Sequence, residues 1–152
     1  NRLKQENKPY TADRIVKLYS THEGSYTFLL YGKGCCVIME KQHKDAVWVP
    51  HAEIEPEVCG KGVKRRILAY SKDAMCVENT FETGGVGAMH CHPHTQVTYI
   101  VSGRYRFTIG DETREVGPGD TLLKQDGVMH GCVCLEGGVM LDFFTPMRED
   151  FV

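Results

Sequence analysis

The sequence has no excess of charge of either sign, because 18 lysines and arginines are balanced by 20 aspartates and glutamates. We therefore expect no binding of nucleic acid or of an anionic membrane surface. It also contains no apolar run near the ~20 residues of a membrane span, and no secretory signal pattern. These absences favour a soluble domain whose partners are small molecules.

The sequence also lacks the cysteine spacing of a disulfide-bonded framework, and its seven cysteines are an odd number. A chain of 152 residues can bury a sizeable core and does not need disulfides for stability. We therefore expect reduced thiols and a cytoplasmic location. Because the sequence begins at Asn1, it leaves open whether a leader preceded that residue.

Long helical patterns are absent, and from residue 65 onward short β-rich runs alternate with glycine-bearing turns. Gly103 and the Gly110-Asp111 pair mark hairpin bends. The runs cover residues 66–70, 76–81, 96–101, 104–109, 121–124, 128–134 and 139–144. This pattern predicts an all-β jelly-roll barrel that encloses a cavity for a small ligand.

The first part of the chain differs, and we predict an N-terminal extension over residues 1–50 ahead of a barrel over residues 51–152. Thr11 could cap a short helix, with Asp13 in its first turn. That helix would carry Ile15, Val16, Leu18 and Tyr19. The runs 25–31 and 35–40 predict a hairpin. So small a segment should pack on the barrel or on a second subunit.

Histidines and a glutamine in the barrel form a pattern of their own. His90 and His92 lie two residues apart, so on a strand they would share a face, and Gln96 would return to that face if the chain stayed extended. His130 supplies a third imidazole. Neutral imidazoles and an amide oxygen suit a divalent transition metal. We predict one such ion, with nickel, zinc, iron and manganese as candidates, the alternative being polar residues on a solvated strand.

Cysteines beside these residues suggest a competing site, because thiolates bind zinc strongly. Side chains alternate between the two faces of a strand, so Cys91 should face away from its neighbours His90 and His92. Cys132 is two residues from His130 and could face the same cavity. We expect Cys91, Cys132 and Cys134 to be small buried side chains instead of ligands.

The spacing resembles the two sequence motifs of the cupin superfamily. The first motif is matched by Gly84, His90, His92, Gln96 and Gly103, with Gln96 where most cupins carry glutamate. The second is matched by Gly119, Gly127 and His130, although Gln125 replaces a proline and Cys134 an asparagine. The resemblance implies a cupin-type double-stranded β-helix.

The C-terminal segment resembles a narrower group of cupins. Residues 142–151 look like the ending of the small cupins that convert 4,5-unsaturated uronate monosaccharides to linear keto-uronates in pectin and alginate breakdown. Those enzymes also carry glutamine as the fourth metal ligand, and the similarity runs from about Gly62 to Val152. It implies a metal-dependent isomerase whose active site includes Asp142 and Arg148.

Charge considerations agree with that implication. Four neutral ligands leave the metal its full positive charge, which favours an anionic sugar substrate. Asp142 could relay the proton of the reaction, or it could pair with a neighbouring basic residue. Arg148 could hold the uronate carboxylate, or it could be a solvated charge near Glu149 and Asp150. Phe144 would form an apolar wall for the sugar, or belong simply to the core.

Two other functions share these features, namely a metal-dependent dioxygenase and a sugar-binding cupin without turnover. Gln96 and the C-terminal segment favour the uronate enzyme, and the lack of a helix-turn-helix pattern disfavours a regulator. We also expect a homodimer, because small cupins commonly pair and the apolar runs at 28–31 and 37–39 offer an interface.

Overall fold

A computed structural model describes residues 15–19, 26–32, 35–38 and 43–152, and describes side chains over residues 43–152. The chain divides into two compact units, Asn1–Gln42 and His43–Val152. Asp45 belongs with the second unit, because its N–H donates to the Tyr70 carbonyl over 2.9 Å. The division into an extension of residues 1–50 and a barrel of residues 51–152 stays a prediction.

The described strands of the first unit form one antiparallel sheet in the order β1-β2-β3. They are β1 (Ile15–Tyr19), β2 (Tyr26–Gly32) and β3 (Cys35–Ile38). The helix predicted after Thr11 is therefore wrong over residues 15–19. Ile15 and Val16 are β-branched, and pairing with β2 satisfies the backbone of this segment. Thr11 and Asp13 lie outside the described residues.

The regular structure of the second unit is ten antiparallel strands and two short 3-10 helices, His51–Glu53 and Glu149–Phe151. The strands are β4 (Glu57–Gly60), β5 (Val63–Tyr70), β6 (Met75–Phe81), β7 (Val86–His90), β8 (Thr95–Ile100), β9 (Arg104–Ile109), β10 (Glu112–Val116), β11 (Thr121–Lys124), β12 (His130–Glu136) and β13 (Gly138–Thr145). One sheet has the order β10-β9-β12-β7, and the other has the order β11-β8-β13-β6-β5-β4. The predicted jelly roll is confirmed.

The core of this unit forms two clusters of buried side chains. The larger one includes Phe81, Ile100, Tyr105 and Met140, and the smaller one includes Val77 and Phe144. The larger cluster takes its members from both sheets, so the sheets close over a shared interior, whereas the buried members of the smaller cluster lie on the six-stranded sheet.

Tight turns connect the strands where the sequence has glycine. Gly103 has φ of 84°, and a Cβ atom there would lie 2.5 Å from the Glu136 carbonyl oxygen. Only glycine fits such a position. The strands β4, β7 and β10 were not predicted, because their side chains are mostly exposed and lack an apolar pattern. No helix in the described part of the chain is both long and apolar enough to cross a membrane.

Candidate metal centre

Two strands of the four-stranded sheet bring His90 and His130 together. His90 ends β7, His130 begins β12, and the two residues are partners in the antiparallel register. Their ring centroids lie 4.4 Å apart. Gly131 allows the strands to approach closely, because a Cβ atom there would lie 2.8 Å from the Gly87 carbonyl oxygen.

His92 and Gln96 reach the same place by a different route. His92 lies beyond the end of β7, and Gln96 is the second residue of β8, which belongs to the other sheet. The extended strand expected through His90, His92 and Gln96 is therefore wrong. Pro93 lacks the N–H that a ladder requires, and the chain turns between the sheets at this point. The His92 ring centroid lies 5.0 Å from that of His130.

Backbone carbonyls orient two of the histidine rings. Nδ1–H of His90 donates to the Ala88 carbonyl and Nδ1–H of His130 donates to the Val128 carbonyl, each over 2.8 Å. Nε2 of each ring therefore remains as the ligating nitrogen. The ligand nitrogens of His90, His92 and His130 all lie within 4.8 Å of one another, so these residues could hold a metal ion.

The surroundings of His92 and His130 favour the neutral form that binds a metal. Burial, together with the nearby His90 and Lys124, lowers the pKa of His130 to about 4. Burial likewise lowers the pKa of His92. Nε2 of His130 is buried and has no hydrogen-bond partner among residues 43–152. A buried nitrogen without a partner is costly unless something binds it, so this donor set fits a divalent ion.

Gln96 presents its amide oxygen to the histidines. Its Nε2 donates to Oδ1 of Asp142 over 2.6 Å, and its Oε1 lies 3.0 Å from Nε2 of His92. A carboxylate oxygen accepts hydrogen bonds, so the amide nitrogen belongs on the Asp142 side. The oxygen therefore faces the His92 ring, and the ligand role of Gln96 stays a prediction.

Asp142 is the centre of a buried polar network. The Thr98 hydroxyl and the Gln96 amide donate to Oδ1, while the Asn79 amide donates to Oδ2 over 2.7 Å. Nζ of Lys124 lies 3.9 Å from Oδ1. Burial lowers the pKa of Lys124, and the Asp142 charge opposes that effect. The alternative considered for Asp142 was pairing with a basic residue, and Lys124 is such a residue. The catalytic role of Asp142 stays a prediction.

Arg148 is buried and paired, rather than being a solvated charge. Its Nε and Nη2 donate to the two carboxylate oxygens of Asp150 over 2.9 and 2.8 Å. These hydrogen bonds hold the pKa of Asp150 at about 2. The guanidinium carbon lies 4.3 Å from the ring centroid of Phe151 and 5.5 Å from that of Phe144. Pairing with Asp150 uses Nε and Nη2, which leaves Nη1 to meet a ligand.

A cavity of about 280 Å³ joins the candidate residues other than His92, which is not part of its wall. Its walls include His90, Gln96, Lys124, His130, Asp142, Phe144 and Arg148. Pockets for drug-sized ligands span roughly 300–1,000 Å³, so this cavity lies near the lower end of that range, where a monosaccharide fits. A wider groove of about 770 Å³, lined in part by Glu112 and Arg114, contains none of the predicted site residues.

The structure does not favour a cysteine ligand. The expectation of a buried side chain is wrong for Cys91, which is exposed, and is confirmed for Cys132 and Cys134. Cys132 lines the cavity, and burial raises its pKa to about 11. Among the described residues, the group of side chains that could hold a metal ion contains the three histidines and no cysteine.

Sequence reasoning missed the polar side chains that surround Asp142. Asn79, Thr98 and Lys124 come from β6, β8 and β11. One signal was available for Lys124, because it has the same strand parity as the apolar Leu122 and should therefore face inward. Nothing local in the sequence marks the other two.

Comparisons with known proteins agree with this geometry. Residues 77–144 match the cupin domain family. The pectin degradation protein KdgF of Dickeya dadantii (strain 3937) is 39% identical over 98 residues, which cover 63% of this chain and 89% of that protein.

Solved structures show the same relationship. An RmlC-like cupin from Shewanella frigidimarina NCIMB 400 is 34% identical with a TM-score of 0.69, covering 71% of this chain and 97% of the other. KdgF from a Halomonas species is 32% identical with a TM-score of 0.67, covering 70% and 99% respectively. The protein therefore belongs to the cupin family, and within it to the group that contains the KdgF pectin degradation proteins.

Proposed function

We propose that the protein is a metal-dependent isomerase that converts 4,5-unsaturated uronate monosaccharides to linear keto-uronates in pectin or alginate catabolism. The observation that carries the proposal is a cavity of about 280 Å³ that is lined by His90 and His130, by Asp142 and by Arg148. His92 completes the group of three histidines that could hold a metal ion. The names of two relatives, a pectin degradation protein and a second KdgF, support the substrate class.

In this proposal His90, His92, His130 and the Gln96 amide oxygen hold one divalent ion, with nickel, zinc, iron and manganese as candidates. The bound ion would supply Lewis-acid polarisation of a substrate oxygen. Because all four ligands are neutral, the site keeps a net positive charge that attracts the uronate carboxylate.

The reaction moves one proton and needs no oxidant or reductant. The anomeric hydroxyl loses a proton and becomes the C1 aldehyde, while the bond from C1 to the ring oxygen breaks. The ring oxygen is then the oxygen of an enolate at C5. A proton added to C4 converts that enolate to the C5 ketone. One proton is removed and one is added, so substrate and product are isomers.

Asp142 is the group that we assign to this proton transfer. Its carboxylate lines the cavity beside His90 and His130. Oδ2 accepts from Asn79, and an ionised carboxylate oxygen has a second lone pair for a substrate hydroxyl. Asp142 would take the proton of the anomeric hydroxyl and return it to C4.

Arg148 and Phe144 would position the sugar. Asp150 holds the plane of the Arg148 guanidinium through two hydrogen bonds. Nη1 is then available to donate to the uronate carboxylate, and such charge-assisted bonds are among the stronger ones. Phe144 lines the same cavity, and its ring would cover the apolar face of the sugar.

The test is direct: purified protein is incubated with unsaturated galacturonate while the ultraviolet absorbance of the conjugated double bond is followed. We expect a faster loss of absorbance than in buffer, with the linear keto-uronate as product by NMR. Because this sugar can open without a catalyst, the His90→Ala/His92→Ala variant serves as a matched control. A rate equal to that of buffer at full metal loading would rule the proposal out.

Oxygen consumption separates the dioxygenase alternative from this proposal, because isomerisation uses no oxygen. A sugar-binding cupin would bind the sugar without loss of absorbance. An oxygen electrode and the absorbance assay, run on the same metal-loaded sample, therefore distinguish all three functions.

We also propose that the protein is a cytoplasmic homodimer. The five cysteines within residues 43–152 are free thiols, which is typical of a reducing compartment. The apolar runs at 28–31 and 37–39 are the proposed contact between subunits. Light scattering at micromolar concentration should report twice the mass of the chain, and a monomer would contradict the dimer.

A further inference from the structure

Lys124 is the most deeply buried charged side chain near the cavity, with 2% of its surface exposed. It ends β11 and is the register partner of Gln96 on β8. Its ammonium donates to the Thr98 hydroxyl, lies 3.9 Å from Oδ1 of Asp142 and faces the Phe107 ring at 5.2 Å. A buried ammonium is unfavourable unless hydrogen bonds and a nearby negative charge compensate for the lost water, and Thr98 and Asp142 supply these for Lys124.

The direction of each hydrogen bond in this network follows from Lys124. An ammonium can only donate, so the Thr98 oxygen must accept from it. The single hydrogen of the Thr98 hydroxyl is then directed to Oδ1 of Asp142. The same Oδ1 accepts from Nε2 of Gln96 over 2.6 Å.

The Gln96 amide can therefore take only one orientation. A flipped amide would place its oxygen against Oδ1 of Asp142, and two acceptors would then face each other. In the observed orientation, Oε1 lies on the side of His92, 3.0 Å from Nε2.

We propose that Lys124 is a positioning residue which, through Thr98 and Asp142, holds the Gln96 amide oxygen toward the metal-binding histidines. This inference rests on the metal ligands of the proposed function and does not depend on the substrate. Lys124 lines the cavity, but its inferred effect on the metal needs no contact with the ion. The effect would pass through Thr98, whose hydroxyl oxygen lies 3.4 Å from Nε2 of Gln96, and through Asp142, whose Oδ1 accepts from the same nitrogen.

Cobalt(II) binding without substrate tests the inference. Affinity is measured by competition with a chelator, and the visible absorption of bound cobalt reports its ligands. Lys124→Met keeps the length of the side chain and removes its charge. Thr98→Val removes the hydroxyl at nearly constant size, and Thr98→Ser restores it as the matched control.

We expect Lys124→Met and Thr98→Val each to lower cobalt affinity by roughly 10–100-fold, the usual effect of removing a partner that orients a ligand. Both should alter the cobalt spectrum, and Thr98→Ser should match the parent protein. In a Gln96→Ala background, Lys124→Met should change the affinity by less than about twofold, because no amide remains to be oriented.

If Lys124→Met lowers cobalt affinity equally in the presence and absence of Gln96, Lys124 has a general structural role and the inference is overturned. Unchanged affinity and spectrum in Lys124→Met would overturn it as well. If Lys124→Met does not fold, Thr98→Val and Thr98→Ser are compared in the parent protein and in the Gln96→Ala variant. A loss of cobalt affinity in Thr98→Val that is equal with and without Gln96, or no loss at all, then overturns the inference. Because no substrate is used, these outcomes are independent of whether the protein converts uronates.

Discussion

Gln96 and Asp142 are joined by a 2.6 Å hydrogen bond from the amide Nε2 to the carboxylate Oδ1. One residue is the predicted fourth metal ligand and the other is the predicted proton carrier, so the two roles are coupled. Any substitution of Asp142 therefore requires a measurement of bound metal as well as of turnover.

Metal content should depend on the histidine pair. We expect the His90→Ala/His92→Ala variant, purified without a histidine tag, to lose the metal, because two of three imidazoles are removed. Elemental analysis should find close to one ion per chain in the parent protein and almost none in the variant. His94→Ala is the control: His94 lies two residues after His92 but does not belong to the three histidines that could hold the metal. The His94→Ala variant should therefore keep its metal. Stoichiometric metal in the double variant would contradict the predicted site.

Asp142→Asn should lower turnover by roughly 10²–10⁴-fold, because the titratable group is lost while a similar shape remains. The asparagine oxygen can still accept from Thr98 and Gln96, so we expect metal content to be unchanged. Asp142→Ala removes this acceptor and should also weaken metal binding. Near-normal turnover in Asp142→Asn would mean that another group carries the proton.

Arg148→Ala should raise KM by roughly 10–100-fold with a smaller effect on kcat, because a hydrogen bond between charged groups is worth about 1.5–3 kcal/mol. Initial rates over a range of uronate concentrations measure this effect. Arg104→Ala is the matched control: Arg104 pairs with Glu115 and Glu136 and is not part of the cavity wall. An unchanged KM in Arg148→Ala would argue against carboxylate binding by this residue.

Asp150 should contribute to stability in a pH-dependent way. Its pKa is about 2 in the folded protein, below the usual 3.8, because Arg148 donates hydrogen bonds to its carboxylate. The folded state thus binds this proton less tightly than the unfolded state does. The stabilisation is fully present above about pH 4 and is lost as the pH falls toward 2.

Urea denaturation of the parent protein and of Asp150→Asn should therefore differ at pH 6 and converge near pH 2. The difference will be small, since 60% of the Asp150 side chain is exposed and solvent screens the pair. A gap in unfolding free energy that is equal at both pH values would contradict the assignment.

Turn glycines and short β-rich runs were enough to predict the jelly roll, because strand patterns and tight turns are local properties of a sequence. They were not enough for residues 15–19. Ile15, Val16 and Leu18 are compatible with a short helix as well as with a strand. Pairing with β2 makes this segment a strand. That pairing depends on residues outside the segment, so its own sequence pattern could not reveal it.

At the site, residue type and spacing alone pointed to His90, His92 and His130, because neutral imidazoles in a cupin motif have few other uses. Tertiary structure decided how they meet: the chain turns at Pro93, so His92 reaches His90 and His130 from a connection and not along a strand. A backbone turn between two sheets depends on where both sheets lie.

The network of Lys124, Thr98, Asn79 and Asp142 could be seen only in the folded chain. Its members come from four strands, β11, β8, β6 and β13, which are neighbours in one sheet but lie far apart in sequence. The sequence by itself determined which chemical groups are present, namely three imidazoles, an amide, a carboxylate and a guanidinium. The pairing of strands decided which of these groups touch, because hydrogen bonds depend on distance and direction, and long-range registry sets both.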